Sequence, residues 1–330
     1  MSRATCAVVL AGGLGTRMAP LTANRPKHLL EVAGEPFAAH QLRWLAAHGV
    51  TDVVLATAYR AELFRPALGD GAAYGVRVRY AVEPAPLGTG GGVAHAARSL
   101  PGGPGEEPIV VVNGDLFTTH DVRAQLAVLD AHPDAEVCLH VRTVPDAAAY
   151  GCVVADDDGR VRAFLEKSPD PPTREVNAGT YAVRRRALDA IPGGVVSLER
   201  DIFPGLVAAG RVVAYREQTD WIDVGNPAAL VAVSALLAAR GHGAAWVAAD
   251  ATVDSSARVS GGSSVCSRAR IEAGAVVVGS VVMPGAVVEE RAEVHDSVVG
   301  PGARVAAGAR LDGAAIGDGA TGPGLTLPRE

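Results

Sequence analysis

Between Val253 and Leu311 an apolar residue returns every six positions. Val253, Val259, Val265, Ile271 and Val277 form one run. After a slip of one residue, Val276, Val282, Val288 and Val294 form a second, and Val299, Val305 and Leu311 a third. Small residues and glycines fill the positions between, as in Glu272-Ala273-Gly274-Ala275-Val276 and Pro301-Gly302-Ala303-Arg304-Val305. A period of six with an apolar anchor and small turn residues is the pattern of hexapeptide repeats in a parallel β-helix, expected here to be left-handed. Roughly three hexapeptides make one triangular coil, and coils bury their anchors only by stacking. The alternative, a set of ordinary short strands, does not require so sustained a period.

The preceding residues follow a different grammar. The apolar runs Cys6–Ala11, Val53–Ala56, Val76–Val82, Ile109–Val112 and Val137–Val141 are too short for helices. Helix-like stretches at Pro36–Ala47, Gly90–Ser99 and Asp121–Ala131 lie between them. This alternation predicts an α/β fold with a doubly wound, mostly parallel, Rossmann-like sheet. The segment Asp156-Asp157-Asp158-Gly159 reads as a solvated hairpin turn between Gly151–Ala155 and Arg160–Glu166, with a metal site as the lesser alternative. The expected division is a catalytic domain over 1–238, a linker over 239–246, the β-helix over 247–320 and a tail over 321–330.

Composition bounds the chemistry. The 330 residues include 39 Gly but only five Phe, three Trp and six Tyr, so Val, Ala and Leu must build the core. A net charge of −6 argues against broad binding to nucleic acid or to acidic membranes. Cys6, Cys138, Cys152 and Cys266 are widely spaced, which favours reduced thiols over disulfides or a zinc site. The first residues show no signal-peptide pattern, and no apolar run is long enough to span a bilayer. A cytoplasmic location is expected.

The first strand runs into Leu10-Ala11-Gly12-Gly13-Leu14-Gly15-Thr16-Arg17-Met18. A glycine-rich turn after a strand lets backbone N–H groups approach phosphate oxygens. Met18 stands where the dinucleotide fingerprint needs its third glycine, and no Gly-Lys-Ser/Thr follows as in a Walker A loop. Arg17 within the turn and Lys27 after Pro26 add two cations suited to a triphosphate chain.

Here the sequence resembles the sugar-1-phosphate nucleotidylyltransferases, or nucleotide-sugar pyrophosphorylases, whose signature is G-G-x-G-T-R-x-x-P-L-T followed by P-K. The chain reads GGLGTRMAPLT from Gly12 to Thr22, then Pro26-Lys27. Further matching motifs are Pro86-Leu87-Gly88-Thr89-Gly90-Gly91, Val112-Asn113-Gly114-Asp115, Phe164-Leu165-Glu166-Lys167, Asn177-Ala178-Gly179-Thr180-Tyr181 and Trp221-Ile222-Asp223-Val224-Gly225. Many members also carry a β-helix tail, so the resemblance covers nearly the whole chain. Within the family the pattern is most like the bacterial mannose-1-phosphate guanylyltransferases.

The resemblance implies that Arg17 and Lys27 bind nucleotide phosphates and act in catalysis with Asp115. It implies that Asp115 and Asp223 hold Mg²⁺. Nucleotide contacts are expected from Leu10, Ala11, Gly12, Gly13, Gly15, Thr16, Glu83, Gly88 and Thr89. Sugar-phosphate contacts are expected from Gly151, Glu166, Lys167, Asn177 and Thr180.

Several of these residues also make sense by position. Asp115 follows an apolar run, at a strand's C-terminal end where open α/β sheets bind ligands; its alternative is a turn or a cap for the helix near Asp121. Asp223 lies in an apolar setting, where a metal or cation offsets the cost of burial. Mg²⁺ is held through one or two carboxylates, with substrate phosphates and waters filling its shell. Glu83 suits guanine, whose N1–H and N2–H₂ are donors, whereas a thymine edge would present acceptors to it. Its alternative is a surface strand end, as an exposed ion pair is for Glu166-Lys167.

The expected reaction is in-line attack of a sugar 1-phosphate oxygen on the α-phosphorus of GTP, with release of pyrophosphate. The first acceptor is mannose 1-phosphate. Ala19 replaces a basic residue common in the family, and His28 stands where Pro is usual after Lys27. These departures keep open another acceptor, a heptose 1-phosphate or a cyclitol phosphate such as valienol 1-phosphate. A non-catalytic regulatory subunit that binds nucleotide sugar is the third reading, which the retained Arg17, Lys27, Asp115, Lys167 and Asp223 oppose. His295 in the repeats suggests acyltransferase chemistry only weakly. No nucleic-acid or membrane partner is expected, and a homo-oligomer is, since β-helix coil edges often pair between chains.

Overall fold

The computed structural model describes residues 5–101, 107–241 and 243–322, with the strand at 325–326. Part of the expected linker and of the expected tail, and the extreme N-terminus, therefore lie outside the described residues. The chain divides into two compact units. One comprises Met1–Gly13 and Gln41–Trp221, the other Leu14–His40 and Ile222–Glu330.

The first unit is built on a nine-stranded sheet. Its parallel half contains β1 (Thr5–Ala11), β2 (Val50–Thr57), β3 (Arg77–Val82) and β4 (Pro108–Asn113). Their order is β3-β2-β1-β4, all parallel. Val8 pairs with Val54 on one side and Val111 on the other, and all three are fully buried. Such β-branched runs suit strands covered on both faces.

The other half holds β5 (Val137–Thr143), β6 (Cys152–Ala155), β7 (Val161–Leu165), β8 (Glu175–Arg184) and β9 (Val212–Arg216). β8 lies antiparallel to β4 and β5, while β9 returns parallel to β5. β6 and β7 form the expected hairpin around the acidic triplet. The helices Gly88–Ala97 and Val122–Asp130 fall where the apolar pattern predicts them. Asp121 caps the second, accepting from the N–H groups of Arg123 and Ala124 at 2.8 and 3.3 Å. Asp115 instead occupies the turn between β4 and the short strand Leu116–Thr118.

The second unit contains the β-helix. Three stacks of short parallel strands form its sides, and Val265, Ile271, Val277, Val282, Val288, Val294, Val299, Val305, Leu311 and Ile316 fill its interior. The slips in the six-residue pattern now have a cause. Val265 stacks on Val282, Val282 on Val299 and Val299 on Ile316, so one coil takes 17 residues as sides of six, six and five. Val277, not Val276, is the interior anchor before the shortened side, and Val276 is only half-buried. A buried serine ladder fixes the shortened corner. Ser263 Oγ accepts from Ser280 N–H, Ser280 Oγ from Ser297 N–H, and Ser297 Oγ from Ala314 N–H, each at 3.1 Å. The residue before each rung, Gly262, Gly279, Asp296 or Gly313, has positive φ.

Helix Pro227–Gly241 packs on the β-helix within this unit. Ser234 Oγ donates to Gly262 O at 2.7 Å, and a Cβ on Gly262 would lie 2.5 Å from Ala235 Cα. The helix therefore runs past residue 238, and the first β-helix strand begins at Ala245.

Candidate functional site

In the first unit, β1 has β2 on one side and β4 on the other, so the strand order reverses there. Open α/β sheets bind ligands outside the C-terminal ends of strands at such a switch point. Gly12 and Gly13 follow β1 directly, and Gly114 N–H donates to Leu10 O at 2.9 Å. That bond sets the Asp115 turn beside the glycine turn. Ala11 is buried, whereas Gly13 is exposed and a Cβ there would meet nothing within 4 Å.

Glu83 comes to the same edge from β3. Its N–H donates to Thr57 O at 2.8 Å. Its Oε2 accepts from Leu87 N–H at 2.9 Å. Oε1 turns toward the glycines: a Cβ would approach it to 2.8 Å at Gly92 and 3.2 Å at Gly12. These glycines leave the room that the carboxylate occupies.

The neighbouring glycines serve packing. A Cβ on Gly88 would meet Val196 O at 2.5 Å, and one on Gly91 would meet Gly194 O at 2.5 Å. Gly90 N–H donates to Val196 O at 2.8 Å. Thr89 Oγ1 donates to Glu199 Oε2 at 2.7 Å and accepts from Leu198 N–H at 2.9 Å. The hydroxyl of Thr89 is thus engaged with the segment Ser197–Glu199, which the sequence reading did not single out.

Glu199 is the residue that reading missed. It lies in a π-helical turn, Leu198–Ile202, of a kind frequent at functional sites. It accepts from Thr89 and Ser197, and from Tyr181 OH at 3.4 Å. Tyr181 OH in turn accepts from Asn177 Nδ2 at 2.9 Å, linking Glu199 to the expected sugar-contacting strand β8. No local sequence motif announces this hub, because its partners lie far apart in the chain.

Gly151 O accepts from Asn177 N–H at 2.8 Å, and a Cβ on Gly151 would stand 3.1 Å from Glu166 Oε2. Gly151, Glu166 and Asn177 are therefore neighbours. Burial raises the Glu166 pKa, with Glu199 adding repulsion and Lys167 and Arg200 opposing it. Lys167 has φ of 29°, a backbone conformation uncommon for a residue with a side chain. Thr180 is fully buried, and its hydroxyl has no hydrogen-bond partner among the described residues. Trp221 Nε1 donates to Ala178 O at 2.8 Å, and the Arg142 guanidinium lies 4.9 Å over the indole ring.

The second unit carries the two cations of the glycine turn. Gly15 has φ of 64° and precedes the short 3₁₀ turn Thr16–Met18. Thr22 Oγ1 donates to Gly15 O at 2.9 Å. The Lys27 stem runs past Gly15, with Cβ and Cδ at 3.5 and 3.6 Å from where a Cβ on Gly15 would stand. Arg17 is exposed and lies against Gly225, where a Cβ would meet its guanidinium at 2.8 Å. Gly225 N–H closes a tight turn onto Asp223 O at 2.9 Å, so Arg17 and the Asp223 turn are neighbours. His28 is buried and Ala19 exposed.

Among the described residues no group of three or more His, Cys, Asp or Glu stands together. Asp115 in the first unit and Asp223 in the second each carry a carboxylate, a hard oxygen donor of the kind that divalent cations such as Mg²⁺ accept.

The nucleotidyl transferase family matches residues 6–240, and the GlmU-like C-terminal hexapeptide family matches 244–323. The mannose-1-phosphate guanylyltransferase of Mycobacterium tuberculosis is 41% identical over 84% of this chain and 80% of its own length. That of Schizosaccharomyces pombe is 35% identical over 67% of this chain, which spans 61% of the yeast protein. Among solved structures, HddC from Yersinia pseudotuberculosis, also solved in complex with GMP-PN, is 27% identical with a TM-score of 0.59. It matches 68% of this chain and 96% of its own. The chain belongs to the nucleotidyl transferase family and joins its catalytic fold to a GlmU-like hexapeptide β-helix.

Proposed function

We propose that the protein transfers GMP from GTP to mannose 1-phosphate, giving GDP-mannose and pyrophosphate. The observation that carries the guanine assignment is Glu83, which is held by Leu87 N–H and presents its other oxygen beside Gly12 and Gly92. A carboxylate oxygen so oriented accepts from the adjacent N1–H and N2–H₂ donors of guanine, whereas a thymine edge offers one donor, N3–H, between two acceptor oxygens that a carboxylate repels. The M. tuberculosis and S. pombe relatives are both named for guanylyl transfer to mannose 1-phosphate, and GMP-PN was bound to HddC, which supports the same reading.

The sugar phosphate is already an anionic nucleophile, so no side chain need be activated. One of its oxygens forms a bond to the α-phosphorus as the α–β bridging bond breaks, and the electron pair leaves with pyrophosphate. Arg17 and Lys27 neutralise the nucleotide phosphates, while the N–H groups of the glycine turn orient them. Lys167 holds the sugar phosphate, and Gly151, Glu166 and Asn177 receive the sugar hydroxyls. Thr180 completes that strand from within the core. Mg²⁺, held by Asp115 and Asp223, supplies charge neutralisation on the triphosphate when bound. Four free cysteines accord with a cytosolic enzyme, and we expect a homo-oligomer.

The test is pyrophosphate release from five nucleoside triphosphates, each paired with mannose 1-phosphate, a heptose 1-phosphate or valienol 1-phosphate. Turnover is expected with GTP and mannose 1-phosphate. Turnover with dTTP but not GTP overturns the Glu83 argument, and preference for another acceptor replaces mannose. No turnover with any pair leaves the regulatory reading.

A further inference from the structure

The segment Leu14–His40, which carries Arg17 and Lys27, belongs to the same compact unit as the β-helix. It is fastened there at two places. Near its middle, Arg25 Nη2 meets Asp318 Oδ2 at 2.5 Å in a partly buried ion pair, and Asn24 Nδ2 reaches the same oxygen at 3.5 Å. Pro20 packs against Gly317 so closely that a Cβ there would stand 3.1 Å from the proline ring. Gly317 and Asp318 follow Ile316, the anchor of the last described coil.

Near its end the segment meets the opposite end of the stack. Ala33 N–H donates to Ser264 Oγ at 3.0 Å. Trp246 covers Gly34, where a Cβ would overlap the indole at 2.3 Å. Trp246 and Ser264 are paired strand residues of the first coils. Lys27 therefore lies in a stretch pinned at Arg25 to the last coil and at Ala33 and Gly34 to the first.

A surface ion pair contributes little, but this one is partly shielded. Arg25 Nε and Asp318 Oδ1 are buried and have no hydrogen-bond partner among the described residues. With these two polar atoms unsatisfied, the pair is poorly built for stability alone. It is well placed to fix position, because a rigid stack of coils holds one end.

We propose that the β-helix is a strut for the phosphate-contacting loop, with Arg25 and Asp318 as positioning residues that set where Arg17 and Lys27 meet the triphosphate. This rests on the phosphate role given above to Arg17 and Lys27. Neither Arg25 nor Asp318 touches the reacting atoms; each acts through the loop.

The experiment uses the full chain with GTP and mannose 1-phosphate. Asp318→Asn and Arg25→Gln are expected to raise the KM for GTP about ten-fold, with kcat and the KM for mannose 1-phosphate changed less than about two-fold. The charge exchange R25D/D318R is expected to restore most of the GTP affinity. Amide hydrogen exchange over 14–30 is expected to quicken in the single variants and slow again in the exchanged pair. A GTP KM that stays put in both single variants, an equal rise for both substrates, or no recovery in the exchanged pair overturns the proposal. Unchanged amide exchange overturns it as well. Arg17→Ala and Lys27→Ala separate it from the underlying reading. If these leave the GTP KM unchanged, the phosphate role of the loop fails and the strut has no substrate to position.

Discussion

Glu83 and Gly92 meet so closely that a methyl group on the glycine would lie 2.8 Å from Glu83 Oε1. The carboxylate is thus held by a missing side chain as well as by Leu87 N–H. Glu83→Gln replaces one acceptor oxygen by a donor amide. GTP preference over dTTP is expected to fall about ten-fold or more, the scale of one charge-assisted hydrogen bond. Competitive turnover with the two nucleotides measures it.

Gly13 and Gly15 separate ligand space from backbone strain. Nothing lies within 4 Å of a Cβ on Gly13, so Gly13→Ala is expected to fold with an unchanged melting temperature while raising the KM for GTP. Gly15 has φ of 64°, and Gly15→Ala is expected to cost about 1 kcal/mol of stability in addition. Thermal melts alongside kinetics distinguish the two.

Asp115→Asn and Asp223→Asn keep side-chain shape but remove the charge. Each is expected to lose Mg²⁺-dependent turnover by about a hundred-fold or more. GTP titrations against free Mg²⁺ check this; near-normal rates would remove the metal assignment.

His120 and His140 stack with ring centroids 4.0 Å apart inside the first unit. Burial pushes the imidazole pKa values down to about 2 and about 4. From about pH 6.5 down to about 4, both rings take up protons in the unfolded chain but stay neutral in the folded one. Their contribution to stability is therefore full above pH 6.5 and is lost as the pH falls. The expected slope is about 1.4 kcal/mol per pH unit for each ring. Below about pH 4 only His120 still adds to this loss. Urea unfolding from pH 7 to pH 4.5 measures the slope, and His140→Phe is expected to remove about half of it.

Ser280 is a middle rung of the buried ladder. Ser280→Ala leaves the buried Ser297 N–H without its partner, at an expected cost of about 1–3 kcal/mol. Gly285→Ala, at φ of 68° with open space around it, isolates backbone strain and is expected to cost about 1 kcal/mol. Denaturant unfolding of the full chain reads both.

Much of this was legible from residue spacing. The six-residue period yields the β-helix because stacked coils bury one anchor per side whatever surrounds them. Its slips were visible too, but their meaning lay in a second period: Gly262-Ser263, Gly279-Ser280 and Asp296-Ser297 recur every 17 residues. The apolar runs foretold β1 to β5, and the turn Gly12–Arg17 pointed to phosphate chemistry through glycine and cation together.

Other relationships depend on residues distant in the chain. Glu199 joins Thr89 to Tyr181 across about a hundred residues on one side, and Arg25 meets Asp318 at a separation of 293. A local motif records which backbone shapes and charges a segment can offer. The sequence by itself therefore determined the repeat, the alternating sheet and the chemical character of the glycine turn. Only the tertiary structure decided that Gly88 lies against Val196 and Gly91 against Gly194, that Glu83 fills the space left by Gly92, and that the loop bearing Arg17 and Lys27 is anchored to the β-helix. Those outcomes turn on close approach between atoms, which spacing along a chain does not encode.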